Sequence, residues 1–505
     1  MSSMPLYLDY AATTPVDTRV AAAMSGCLTL DGDFGNPSST HVFGAAAATR
    51  IQTAREQIAA LVGASPEEVV LTSGATESNN LAILGCARAN CDRGRHIVSV
   101  RTEHKSVLDA LRALEKEGFS VSWLTPGRSG RLDPAVFAAA LRADTVLAAI
   151  MHTNNETGII EDIAALGSLC RERGIAFHSD CAQAAGKVPL ELHSLPVDFA
   201  AFTAHKLYGP KGIGALYVRR CARGLLQPLL YGGGQERGLR PGTLATHQIV
   251  GFGAACEIAA HELAGESARL LRLRERLWAG IERIGGTYLN GSEAPRVPGI
   301  LNVSFEGVHG ESLVAGLTAL ALSTGAACTS GTSDPSYVLR ALGRGVQLAQ
   351  SSLRLSLGRF TVETDVDLAL GALSHEVRRL RGLSPATPPT PNGGAWAGAV
   401  PDGAVPDGRA VVSGEAGGPG QDTWVRFQLL VEGDTVKDAR FQAFACPHTM
   451  DTAAWLCRVV RGRRREGLIP GTPAAWAASR GVPAEKLGRL LKVEDALRAC
   501  LAHWT

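Results

Sequence analysis

Short apolar runs alternate with longer stretches of helical period over the first part of the chain, to about residue 220. The runs predict strands at Glu68–Thr72, His96–Val100, Ser120–Leu124, Val146–His152, Ile175–Ser179 and Phe199–Thr203, with a further one at Ile213–Val218. Strands that alternate with helices imply right-handed crossovers and a mostly parallel sheet covered on both faces. Around residues 244–285 the pattern becomes one long helix, His247 through Ile284. A smaller α+β unit follows, with strands at Ile300–Phe305 and Leu353–Leu357, and the pattern stops near Leu383. From 385 to 420 proline, glycine, alanine and serine dominate, which predicts an extended linker spanning about 30 Å. From 421 a folded pattern returns: a strand pair, Val425–Glu432 and Val436–Phe444, and then helices.

Composition narrows the function. The chain has 505 residues, a net charge of +2 and 19% charged residues, so it lacks the basic field that nucleic-acid binding needs. The run Arg461-Gly462-Arg463-Arg464-Arg465 reads as a solvated patch. No apolar run reaches the length of a membrane span, and the first residues carry no signal-peptide pattern. Eleven scattered cysteines fit a reducing compartment better than a disulfide framework. The expectation is a cytoplasmic enzyme with no direct nucleic-acid or membrane partner.

Three stretches carry candidate chemistry. Lys206 ends the strand before the turn Leu207-Tyr208-Gly209-Pro210. A lone lysine there is ordinarily a solvated loop residue. Asp180, however, ends another short strand, in His178-Ser179-Asp180-Cys181. A lysine and a strand-end carboxylate form the pair a pyridoxal phosphate site requires: the amine binds the aldehyde, and the carboxylate keeps the pyridinium protonated. Thr72-Ser73-Gly74-Ala75-Thr76 then reads as strand, tight turn and helix start. By itself that is an ordinary capped helix; beside the other two it reads as a phosphate cradle. All three lie at carboxyl ends of strands, where open α/β sheets bind ligands.

At this point the residues match a family. Tyr7-Leu8-Asp9-Tyr10, Thr72 to Ser78, Thr102-Glu103-His104-Lys105, Met151 to Gly158, His205 to Gly212, Gly232 to Arg237, Arg240-Pro241-Gly242-Thr243, Ala326-Ala327-Cys328-Thr329-Ser330 and Ser352 to Gly358 resemble, in order, the cysteine desulfurases of iron–sulfur cluster assembly. The resemblance covers 1–384 and implies the fold of type I pyridoxal phosphate-dependent transferases. It divides that stretch into a large cofactor domain over about 15–260 and a small α+β domain from 1–14 and 261–384. It implies that Lys206 is the Schiff-base lysine, Asp180 the ring-nitrogen partner and Gln183 the ring-hydroxyl partner, with His104 stacked on the cofactor and joining in proton transfer. Ala75, Thr76, Thr203 and His205 hold the phosphate, with Thr243 reaching it from the second subunit of a homodimer; Thr203 stands where the family usually carries serine. Asn155 and Arg354 clamp the substrate carboxylate, Asn155 also belonging to the cofactor set. The resemblance also implies that L-cysteine becomes L-alanine and that Cys328 receives the sulfur as a persulfide. Cys328 lies in a run of small and hydroxyl residues, a poor setting for a structural cysteine. Acceptor proteins then take the sulfur for iron–sulfur clusters or tRNA thiolation. No metal site is expected, apart from Cys328 as a ligand of a cluster in transfer. An aminotransferase or a selenocysteine lyase would share Lys206 and Asp180 without needing the Cys328 stretch in this form.

Residues 421–505 are similar to iron–sulfur scaffold proteins through Asp438 to His448, more weakly through Val493 to Ala499. Of the three cysteines that hold a cluster in that family, Cys446 alone is matched. The third position falls near Arg489, and the aspartate near Asp422. One thiolate is too few to hold a cluster. Three roles stay open for this small α+β unit: a persulfide relay through Cys446, a mimic that blocks acceptor docking, or a vestige.

Overall fold

The computed structural model describes residues 4–291, 294–324, 335–383, 403–405, 409–418, 423–483 and 486–504. A first short strand, β1 (Leu6–Tyr7), precedes the large sheet. That sheet contains β2 (Val69–Thr72), β3 (His96–Val100), β4 (Ser120–Leu124), β5 (Thr145–Ala149), β6 (Ala176–Asp180), β7 (Phe199–Thr203) and β8 (Gly214–Val218). Their order is β2-β8-β7-β6-β5-β3-β4, and every pairing is parallel except the two made by β8. Every strand but the edge strand β4 is buried along its whole length, which is why these segments read as unbroken apolar runs. The strand expected at Val146–His152 ends at Ala149, and Met151 to Gly158 turn into a site loop instead.

Helix Thr246–Glu282, 37 residues and about 55 Å long, joins two cores. Its first half, with Ile249, Phe252 and Cys256, packs into the large-domain core. Its second half, with Leu273, Leu277 and Ile281, packs into a separate core with helix Glu363–Leu383. That small domain carries an antiparallel sheet of β9 (Thr287–Leu289), β10 (Ile300–Phe305) and β12 (Ser352–Ser356), ordered β12-β10-β9. Strand β1 pairs in parallel with β11 (Leu320–Ala321), so the amino-terminal segment joins the small domain.

The C-terminal unit is a four-stranded antiparallel sheet, β13 (Gly403–Val405), β14 (Arg409–Gly417), β15 (Trp424–Glu432) and β16 (Thr435–Phe444). Helices Pro447–Val460, Pro473–Arg480 and Leu487–His503 accompany it around a core of its own. Here the structure corrects the expected linker: β14 lies inside 385–420 and pairs with β15 along its full length. The glycines there suggested flexibility, but Gly414 serves close approach. A Cβ on it would lie 2.2 Å from the Cys500 backbone nitrogen on the helix packed across the strand.

Candidate active site

The carboxyl ends of β2, β6 and β7 bring the candidate residues together. Gly74 precedes helix Ala75–Ala89 with φ 151°, and the helix start has no side-chain cap, so its first N–H groups are open to a ligand. A Cβ on Gly74 would point at Thr203 Oγ1, 3.8 Å away, and one on Gly214 would strike Gly74 Cα at 2.6 Å. Glycine at both positions therefore keeps a cradle between the helix start and Thr203. Glu77 of the same turn is drawn aside: it accepts from Ser73 N at 2.6 Å and from Arg240 Nε at 2.9 Å. Ala75 is partly buried and Thr76 exposed; Thr243 is exposed on the loop after Gly242.

Asp180 is 6% exposed and doubly held, accepting from Asn79 Nδ2 at 2.8 Å and from Ala182 N at 2.9 Å. Asn79 Nδ2 also donates to Ser106 Oγ at 2.9 Å. The Asn79 oxygen faces His178 Nε2 at 2.9 Å, and that ring, pushed down to about 4 by burial, is neutral. His104 is the N-cap of helix Lys105–Lys116; its Nδ1 accepts from Ser106 N at 3.2 Å and faces Ser106 Oγ at 2.9 Å. A ring nitrogen that accepts a backbone N–H carries no proton, so neutral His104 holds its proton on Nε2. Burial lowers its pKa, the Asp180 charge opposes that, and the Lys206 charge adds to it. Sequence reading found Asp180 and His104. It missed Asn79, Ser106 and His178, whose side chains link the two.

Lys206 occupies the single turn Ala204–Lys206 directly after β7. Thr13 and Thr14 tie that turn to the amino-terminal segment: Thr14 N and Oγ1 donate to the His205 carbonyl at 2.9 and 3.0 Å, and His205 Nδ1 lies 3.1 Å from Thr13 Oγ1. Burial, then the charges of Lys206, Lys211 and Lys187, push His205 down to about 4. Gln183 donates from Nε2 to the Ala11 carbonyl at 2.8 Å and accepts from Lys187 Nζ at 2.5 Å. Lys187 is a second amine at the site that sequence reading passed over. Burial, then the charges of Lys206 and Arg354, bring it down to about 7. The alanine-and-glycine turn before it, Ala184-Ala185-Gly186, gave no signal of chemistry.

The small domain contributes Arg354 from β12, 3% exposed. Its Nη1 donates to the Asn155 carbonyl at 2.9 Å and its Nη2 to Asp9 Oδ1 at 2.7 Å. Arg354 Nε and Asn155 Oδ1 are buried with no hydrogen-bond partner. Buried polar atoms left open are costly unless a ligand completes them. The uncapped cradle, the strand-end carboxylate, the lysine and these open groups together fit pyridoxal phosphate and an amino acid. Cys328 lies outside the described residues. Cys446 is remote from this set: it is buried in the C-terminal unit before helix Pro447–Val460, with its sulfur 3.2 Å from Thr449 Oγ1. Among the described residues no three His, Cys, Asp or Glu side chains gather as a metal site.

A large parallel sheet with one reversed strand, a small domain joined by a long helix and a lysine at the β7 end define a pyridoxal phosphate-dependent transferase. The class-V aminotransferase model matches residues 6–369, and the chain belongs to that family of pyridoxal phosphate enzymes. More narrowly, it is 56% identical over 383 residues to the cysteine desulfurase IscS of Pectobacterium atrosepticum, covering 76% of this chain and 95% of that protein. The chain therefore belongs to the cysteine desulfurases. Among solved structures, a NifS-like protein superposes with a TM-score of 0.69 at 34% identity, over 74% of this chain and all of the other. A structure described as SspA in complex with cysteine superposes at 0.63 and 36% identity, over 70% and 99%. The C-terminal unit lies beyond the residues of the family match.

Proposed function

We propose that this chain converts L-cysteine to L-alanine and passes the sulfur, as a persulfide on Cys328, to acceptor proteins that build iron–sulfur clusters or thiolate tRNA. One observation carries the reading: Lys206, the held Asp180 and His104 lie at the carboxyl ends of β7, β6 and β3, along one edge of the sheet, while Arg354 and Asn155 keep open buried hydrogen-bonding groups. Bound pyridoxal phosphate supplies an electron-accepting ring that acidifies the substrate α-C–H. The Gly74 turn with Ala75, Thr76, Thr203 and His205 holds the phosphate, and Asp180 and Gln183 hold the ring. Thr243 of a second copy completes that cradle in a homodimer, an assignment its exposed loop supports. The Arg354 guanidinium and Asn155 amide orient the carboxylate of L-cysteine. Lys206 takes the α-proton, and the His104 Nε2 proton serves the sulfur end of the substrate.

The transfer balances without an outside oxidant. The substrate C–S bond breaks, an S–S bond forms at Cys328, and a thiol pair becomes a methyl group and a persulfide. We place the enzyme in the cytoplasm; among the described residues no helix is long and apolar enough to cross a membrane. The C-terminal unit is taken as scaffold-like, on the Asp438 to His448 stretch. The test is alanine and sulfide release from L-cysteine, with dithiothreitol present to reduce the persulfide, by the full chain, Lys206→Ala and Cys328→Ala. Equimolar alanine and sulfide from the wild type, neither product from Lys206→Ala, and loss of protein-bound sulfur in Cys328→Ala are expected. Absence of alanine from the wild type sinks the reading, and undiminished sulfur release by Cys328→Ala favours a lyase-like enzyme.

A further inference from the structure

The C-terminal unit rests on the small domain at helix Gly310–Gly316. Glu311 on that helix accepts from Lys486 Nζ at 2.8 and 3.0 Å, and Arg489 Nη1 lies 3.3 Å from the same carboxylate. Lys486 and Arg489 are each 14% exposed and Glu311 33% exposed, so the contact is partly shielded from water. Burial alone would raise the Glu311 carboxyl; the Lys486 hydrogen bond and the charges of Arg489 and Lys486 outweigh it and hold the group below its usual range. Beside it, Ser312 Oγ donates to the Ala445 carbonyl at 2.6 Å. The His309 ring meets Phe444 edge-on with centroids 5.5 Å apart. Met450 packs against both the small-domain core and the C-terminal core. Charge, hydrogen bond and apolar contact thus fall on one patch.

Three contributors stand at or beside positions singled out by the scaffold resemblance. Arg489 occupies the place near the third cluster cysteine, and Ala445 and Phe444 directly precede Cys446, the one cysteine retained. Near the place where that resemblance sets the third cysteine, this chain carries an ion pair.

We propose that His309, Glu311 and Ser312 form a protein-docking surface for a scaffold-like domain, and that this chain fills it with its own C-terminal unit, clamped by Lys486 and Arg489. The surface stands on the helix that precedes the Cys328 stretch in the chain, so a free acceptor protein of the same fold competes with the tethered unit for it. Tethering favours the unit, because docking within one chain acts at an effective concentration of about millimolar. This deepens the desulfurase reading and rests on it for its meaning; the docking itself is tested separately.

The experiment is hydrogen exchange on the full chain, following peptides across 309–316 and 444–450. Glu311→Lys alone, and Lys486→Glu with Arg489→Glu, are each expected to accelerate exchange about tenfold at both segments while other parts of both cores keep their protection. The triple variant Glu311→Lys, Lys486→Glu, Arg489→Glu restores the pair with signs exchanged and is expected to return both segments to wild-type rates. Wild-type rates in Glu311→Lys, or a triple variant no slower than either parent, overturn the clamp. Alanine formation from L-cysteine with dithiothreitol as sulfur acceptor is expected to be equal in all four proteins. Its absence from the wild type sinks the desulfurase reading and leaves the clamp to be decided by exchange alone.

Discussion

The chain has two domain junctions, and they treat buried polar groups in opposite ways. Between the large and small domains, Arg354 Nε and Asn155 Oδ1 are buried with their hydrogen bonds unmade. Between the small domain and the C-terminal unit, the Glu311 carboxylate is met by two cations and the Ser312 hydroxyl by a carbonyl. A junction that must bind a ligand leaves groups open for it and accepts their desolvation cost. At the second junction Glu311 and Ser312 instead find their partners within the protein. The difference teaches which seam carries chemistry.

The largest expected effect breaks the first junction at its centre. Lys206→Ala removes the proposed general base and should lower alanine formation by on the order of 10³-fold or more, measured at saturating L-cysteine. Arg354→Lys keeps a charge but loses the planar fork, so kcat/KM should fall by about 10²-fold, with the loss mostly in KM if the residue holds the carboxylate. An unchanged KM would move the carboxylate site elsewhere.

A pH series sharpens the comparison. Burial pushes His178 down to about 4 in the fold, whereas unfolded it titrates near the ordinary histidine value of about 6.5. The unfolded chain binds more protons between those values, so stability rises with pH across the window and is lost on going from about 6.5 to 4. This one group accounts for on the order of 3 kcal/mol at the low end. Thermal unfolding from pH 7 to 4 should show a shallower decline in His178→Gln than in the wild type. The same slope in both would remove His178 as the source.

The smallest effect concerns the second body. Gly414→Ala pushes a methyl group against the Cys500 backbone and should cost the C-terminal unit about 1–3 kcal/mol, with the desulfurase domains untouched. Protease resistance of residues 409–504 beside unchanged alanine formation measures it. If resistance is unaffected, the strand is not packed as described.

Much of this was legible before any coordinates. Strands such as Val69–Thr72, His96–Val100 and Phe199–Thr203 stood out because burial on both faces leaves a largely apolar run. Lys206 and Asp180 were legible because each sits where such a run ends. Lys187, Asn79, Ser106 and His178 were not: each lies inside an element or an unremarkable turn, and its importance comes from the side chain it meets, Asp180 and His178 for Asn79 and Gln183 for Lys187. Strand β14 was hidden for a related reason, since a glycine that admits a helix and one that loosens a linker look the same in one dimension.

By itself, then, the sequence determined the layered α/β core, the positions of the strand ends and the lysine, carboxylate and glycine turn that gather there, because hydrophobic period and turn chemistry are local. The tertiary structure alone decided which histidine nitrogen carries the proton, which amine stands beside Gln183, and that Arg489 meets Glu311 across a domain boundary. The Arg489–Glu311 contact joins groups far apart in the chain, whereas the histidine proton and the Lys187 contact turn on side-chain geometry within a few residues; hydrophobic period encodes neither.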